Sequence, residues 1–194
     1  MPPKREDSQL SQDSVMTVTQ EDRHEILYFA YGSNLSTVQM RQRCPYSTPI
    51  GIGHLDGWKW LINERGYANV VKVSGSEAKS SEGSLGDKGK GKEWGVYGLL
   101  YLLPPDDEAK LDTYEGVPWA YEKMTCDARW VRDGQGKVLD EPVKTLVYVD
   151  TKRVGESVPK EEYVERMERG IEDAVDNWGL DREYATKVMR RFWK

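Results

Sequence analysis

Between residues 26 and 35 the chain reads ILYFAYGSNL, six apolar or aromatic positions followed by Gly-Ser-Asn. An unbroken apolar run of that length, stopped by turn residues, predicts a buried strand. Gly32 can take backbone angles closed to other residues and lets a neighbour approach the main chain. Ser33 and Asn34 place short donors and acceptors where the chain turns. This segment fits an ordinary strand and turn. The sharper alternative is a ligand loop whose N–H groups face an anion or a carbonyl, which the rest of the chain must decide.

Ser36-Thr37-Val38-Gln39 has the spacing of a capping box and predicts a helix start. Pro45 ends that helix by Cys44. The runs IGHLDGWKWLIN and YANVVKV read as two strands separated by a turn at Glu64-Arg65-Gly66. EWGVYGLLYLL resumes a strong strand pattern, and PPDDEAKLDTYEG follows with Pro first, acids in the first turn and Gly last, which is helix punctuation. YEKMTCDARWV and KVLDEPVKTLVYVD flank RDGQG and predict a hairpin. From Pro159 onward Tyr163, Met167, Ile171, Ala174, Val175 and Trp178 recur at helical spacing, Gly179 stops that helix and Asp181 caps another. A strand-rich centre followed by helices predicts an α+β fold with a largely antiparallel sheet or a small barrel.

Two segments stand outside this pattern. Residues 1–24 are polar and read as a disordered tail, which leaves 25–194 as the folded domain. Within it, 74–92 holds fourteen Gly, Ser or Lys among nineteen residues and reads as a flexible insertion.

Composition narrows the function. With 28 basic and 33 acidic residues the net charge is -5, which argues against a dedicated nucleic-acid binder. Cys44 and Cys126 are too few for a disulfide framework and lack metal-site spacing, and His24 and His54 are the only histidines. No metal site and no Ser-His-Asp triad is expected. No apolar run reaches the roughly 20 residues needed to cross a bilayer, and the N-terminus lacks the apolar centre of a secretory signal. The expectation is a cytoplasmic protein with no membrane partner.

With histidine nearly absent, carboxylates are the natural proton carriers. Most acids lie in charge-rich surroundings, but Glu115 sits in LDTYEGVPW among Tyr114, Val117, Pro118 and Trp119. An apolar, aromatic setting raises a carboxyl pKa toward neutrality. A helix-end glutamate pointing to water remains the alternative.

Taken together, YFAYGSNL, WGVYGLLYLL, LDTYEGVPWAYEK, TLVYVD and GLDREYATKV resemble the γ-glutamylcyclotransferase family, in order, from Tyr28 to about Phe192. YGSN alone is a weak motif. Followed some eighty residues later by LDxxEGV it is specific. Glutathione-specific relatives usually carry Leu after Tyr-Gly-Ser, so Asn34 favours the general branch. The resemblance implies a small mixed β-barrel with flanking helices. It implies an enzyme without cofactor that converts a γ-glutamyl amino acid or amine to 5-oxoproline and the free amine. It puts the acid/base glutamate at Glu115 and the substrate loop at Tyr28, Phe29, Ala30, Tyr31, Gly32 and Ser33. It also puts a substrate-contacting tyrosine at Tyr148, for which core packing is the alternative. The implied partner is a small γ-glutamyl substrate, and a homodimer stays open. The rivals are a γ-glutamylamine cyclotransferase, an enzyme removing a γ-glutamyl group from a natural-product intermediate, and a binding module that keeps the pocket without turnover. A nucleic-acid platform of Tyr28, Phe29 and Tyr31 is opposed by the charge.

Overall fold

A computed structural model describes residues 25–74 and 94–194; the tail at 1–24 and all but the first residue of the 74–92 insertion lie outside the described residues. Five strands close into a barrel in the order β1 (Ile26–Ala30), β5 (Gly95–Leu103), β2 (Thr48–Asp56), β6 (Glu122–Asp133) and β7 (Val138–Val149). All neighbours in that order run antiparallel. The closing contact is parallel, β7 meeting β1 at Tyr28 and Leu146. The barrel is therefore mixed and largely antiparallel, as the α+β reading requires.

Apolar patterning explains which strands sit inside. β5 is buried along most of its length because β1 and β2 flank its edges and both its faces are covered. Phe29 packs where side chains are missing: a Cβ on Gly53 or Gly98 would lie within about 3 Å of its ring. Large opposite small fills a narrow barrel without a void.

The strand read through IGHLDGWKWLIN is in fact two. Gly57, at φ 75°, turns the chain between β2 and β3 (Trp58–Ile62), and β3 pairs with β4 (Ala68–Lys72) in a separate hairpin. Asp56-Gly57 is the turn signal inside that run, and the apolar residues that resume at Trp58 mask it in a reading by hydrophobicity alone. The 64–66 turn between β3 and β4 lies where expected, and β6 and β7 form the predicted hairpin.

Helices cover the barrel: α1 (Thr37–Arg43), α2 (Pro105–Tyr114), α3 (Glu161–Trp178) and the short α4 (Arg182–Tyr184), which runs on through a π turn at Ala185–Met189. Ser36 caps α1 by accepting from the Gln39 amide at 3.2 Å. The capping box is only half formed, because the Gln39 side chain turns toward Ser33 and Asn34 instead. On α3 the buried stripe is Tyr163, Met167, Gly170, Ile171 and Ala174, with Val175 and Trp178 half-buried. Gly170 lies against Leu35, Ser36 and Ser33 so closely that a Cβ there would come within 3.1 Å of the Leu35 Cβ. This close approach presses α3 onto the turn after β1 and brings Tyr163 and Arg166 beside it.

Candidate active site

The apolar run of β1 carries the chain through the barrel wall, and Gly32 ends it in a short 3-10 turn, Ser33–Leu35. That turn, the end of α2, the β3–β4 turn, β7 and α3 surround a cavity of about 270 Å³. The size suits a small molecule.

Glu115 is the C-terminal cap residue of α2 and faces this cavity. Its Oε1 accepts from Asn34 Nδ2 at 3.1 Å. Asn34 is itself fixed by every group its amide offers. Nδ2 also donates to the Tyr28 hydroxyl at 3.0 Å, while Oδ1 accepts from Gln39 Nε2 at 2.8 Å and from Arg43 Nη1 at 3.1 Å. With two donors holding the amide oxygen, the amide nitrogen is obliged to face Glu115. Burial pushes the Glu115 carboxyl up to about 7, against the opposing pull of Arg43, Arg166, the Asn34 hydrogen bond and Arg65. A carboxyl of this proton affinity can both take and release a proton near neutral pH.

Ser33 Oγ accepts from Gln39 Nε2 at 2.9 Å and from Arg166 Nη2 at 3.0 Å. Both lone pairs are engaged, which leaves its hydroxyl proton to donate elsewhere. Gly32 has φ -112°, outside the left-handed region, so the reason for a glycine here is space rather than backbone angle. A Cβ there would stand 2.9 Å from the Tyr163 hydroxyl, so the neighbour that the missing side chain admits is this tyrosine. Burial pushes the Tyr163 hydroxyl up to about 12, with the backbone N–H groups of Ala68 and Ser33 holding it down. Tyr31 donates to the Tyr148 carbonyl at 2.5 Å, and the Tyr148 hydroxyl donates to Asp112 Oδ1 at 2.7 Å. Burial and the Asp112 carboxylate both raise the Tyr148 hydroxyl far above its ordinary range.

Of the residues singled out in the sequence, Tyr28, Tyr31, Gly32, Ser33, Glu115 and Tyr148 come together on this cavity. Phe29 and Ala30 do not line it. Both are fully buried, Phe29 against Gly53 and Gly98 in the barrel. Alternation along β1 accounts for Phe29, since Tyr28 and Phe29 point to opposite faces of the strand. The residues that sequence reading passed over are Asn34 as a partner of Glu115, Asp112 as a partner of Tyr148, and the three arginines Arg43, Arg65 and Arg166. Among the described residues no grouping of His, Cys, Asp or Glu could hold a metal ion, and no helix is long and apolar enough to cross a membrane.

The family profile for gamma-glutamyl cyclotransferase, AIG2-like, matches residues 28–166. The chain belongs to this family. The matched span begins on Tyr28 and ends on Arg166, and so contains every cavity residue named above. Solved structures agree in fold. One, a gamma-glutamyl cyclotransferase, is 21% identical with a TM-score of 0.61, covering 84% of this chain and 86% of that one. The uncharacterized human protein LOC79017 gives the same values. YkqA from Bacillus subtilis is 21% identical with a TM-score of 0.60, covering 89% of this chain, which spans only 55% of YkqA. Compared with curated protein sequences, the chain finds no match. Family and fold together support a γ-glutamyl cyclotransferase-type enzyme.

Proposed function

We propose that this protein cyclises a γ-glutamyl amino acid or amine, releasing 5-oxoproline and the free amine, with Glu115 as the acid/base. The observation that carries the reading is the Glu115 carboxyl, turned into the cavity, tied to Asn34 of the YGSN turn and raised to about 7.

The substrate brings its own nucleophile, the α-amine, so no Ser or Cys nucleophile is needed. The amine arrives as an ammonium and gives one proton to the Glu115 carboxylate. Its nitrogen then attacks the γ-carbonyl carbon, forming the ring C–N bond and a tetrahedral oxyanion. Collapse breaks the bond to the leaving nitrogen, which takes the first proton back from Glu115; the ring nitrogen then sheds its second proton through the same carboxylate to the released amine, which departs as an ammonium. The carboxyl ends as it began, and no other reactant is consumed. Binding the chain folded, with amine against carbonyl, offsets the entropy of approach before the chemical step. The proton transfers contribute ~10²–10⁴-fold. The hydroxyl proton of Ser33, left unclaimed by Gln39 and Arg166, is available to the substrate carboxylate or to the oxyanion.

The test is 5-oxoproline release from γ-glutamyl-L-alanine. The Glu115→Gln variant keeps shape and hydrogen-bonding reach but cannot take a proton, so turnover should fall by ~10² or more while binding persists. Near-normal release by the folded Gln variant would remove Glu115 from the reaction.

A further inference from the structure

The cavity carries more positive charge than the acid/base chemistry uses. Arg43, Arg65 and Arg166 line it, and Glu115 is the one carboxylate among its lining residues. Partners outside the cavity decide which of these cations is left over. Arg166 is committed: Glu162 lies 3.5 Å from its Nη1, and it donates to Ser33 and to Gln39. Arg43 donates to Asn34 and lies over the Tyr114 ring at 4.9 Å, with no carboxylate within ion-pair distance among the described residues. Arg65 has Asp150 at 3.9 Å. That carboxylate is already satisfied by Arg153 Nε at 2.6 Å, by Asn63 at 2.9 Å and by the amides of Lys152 and Arg153. Arg65 otherwise gives one hydrogen bond to the Ala120 carbonyl and lies beside the rings of Tyr67 and Tyr121, 5.3 and 5.4 Å away. Two guanidinium groups, Arg43 and Arg65, are thus short of counter-charge.

A γ-glutamyl amino acid carries two carboxylates, one on each half, whereas a γ-glutamyl alkylamine carries one. In the glutamyl half, carboxylate and amine share a single carbon. Arg43, joined through Asn34 to the Glu115 oxygen that takes the amine's proton, is the cation that fits this carboxylate. Arg65 comes from the β3–β4 turn and stands with Tyr67, Tyr121 and Ala120, none of which is hydrogen-bonded to Arg43, Asn34 or Glu115. Resting on the cyclotransferase reading above, we infer that Arg65 selects the leaving half of the substrate, binding a carboxylate on the released amine, so that γ-glutamyl α-amino acids are favoured over γ-glutamyl alkylamines. A planar guanidinium supported by aromatic rings suits a carboxylate through two parallel hydrogen bonds.

A matched pair of compounds isolates this contact, because γ-glutamyl-L-alanine and γ-glutamyl-ethylamide differ only by the carboxylate of the leaving amine. The wild-type chain should show kcat/KM about tenfold or more higher for the alanine compound, with the difference in KM. In Arg65→Gln that ratio should collapse toward one. Arg65→Lys, which keeps the charge but loses the fork, should fall between, and it carries the test if the Gln variant does not fold. Equal activity of the wild type on both compounds would overturn the assignment. So would an Arg65→Gln variant that loses both activities by the same factor, since Arg65 would then serve the glutamyl half or the fold. Release of 5-oxoproline from neither compound by the wild-type chain is a different failure, which sinks the cyclotransferase reading itself and the assignment resting on it.

Discussion

If burial holds the Glu115 carboxyl at about 7, replacing it should stabilise the protein, and only at high pH. The ordinary value is 4.5, so in the unfolded chain Glu115 ionises well before it does in the native one. A folded-state pKa raised above the unfolded value contributes stability that is fully present below 4.5 and is lost as pH rises through about 7. Above that range the buried charge costs the native state about 3 kcal/mol. Glu115 is half-buried and its cavity is open to water, so ~1–3 kcal/mol is the working range. Glu115→Gln removes the charge and keeps an oxygen to accept from Asn34. Its melting temperature at about pH 8.5 should exceed that of the wild type by roughly 2–4 °C per kcal/mol. By about pH 5 most of the difference should be gone. Comparing the two proteins at each pH cancels every other titrating group. The assay is thermal denaturation followed by circular dichroism across that range. A gap that does not change with pH would show that Glu115 ionises normally, in water, and would refute the proton affinity on which the chemistry rests.

Asn34→Ala removes a hydrogen bond that favours ionised Glu115; the rising limb of kcat/KM against pH should then move upward from about 7, by about one pH unit at most, in initial-rate measurements. An unmoved limb would mean that Asn34 does not set this carboxyl. Tyr148→Phe breaks the 2.7 Å bond to Asp112 and should cost ~0.5–1.5 kcal/mol in urea unfolding, with kcat/KM reduced by less than about tenfold. Gly32→Ala should push the Tyr163 hydroxyl off its seat and lower turnover by about tenfold or more while changing the melting temperature little; an unaffected rate would show that Tyr163 plays no part.

The burial of Glu115 was expected from the wrong neighbours: Tyr114 lines the cavity, but Tyr114, Pro118 and Trp119 are exposed, and the rings around the cavity include Tyr28, Tyr31, Tyr121, Tyr148 and Tyr163, most of them from distant elements. The turn after β1 was legible, since a buried strand that stops at Gly-Ser-Asn leaves polar groups at its end. The arginines were not. Arg43 closes a short helix, Arg65 sits in a hairpin turn and Arg166 lies on a helix crowded with charge, all places where arginine ordinarily meets water. Only the crossing of distant elements turns them inward, and no local pattern encodes that crossing. Arg166 left one trace, its place between Tyr163 and Met167 on the edge of the buried stripe. Phe29 and Ala30 show the opposite limit. A contiguous motif marks the strand that reaches the site, while the pleat decides which of its side chains arrive.

The closing pair of the barrel, Tyr28 on β1 with Leu146 on β7, has a consequence for how the chain is made. Of the described strands β1 is the first to leave a ribosome, and its second edge is completed by the last strand of the barrel, more than a hundred residues later. Until β7 emerges, β1 keeps an unpaired edge beside the residues that will form the cavity floor, and that edge is open to wrong partners. Tyr163 and Arg166 come later still, on α3. The candidate pocket is thus complete only once α3 has followed the last barrel strand, and a nascent chain halted within β6 would carry the sequence of the motif without the walls around it.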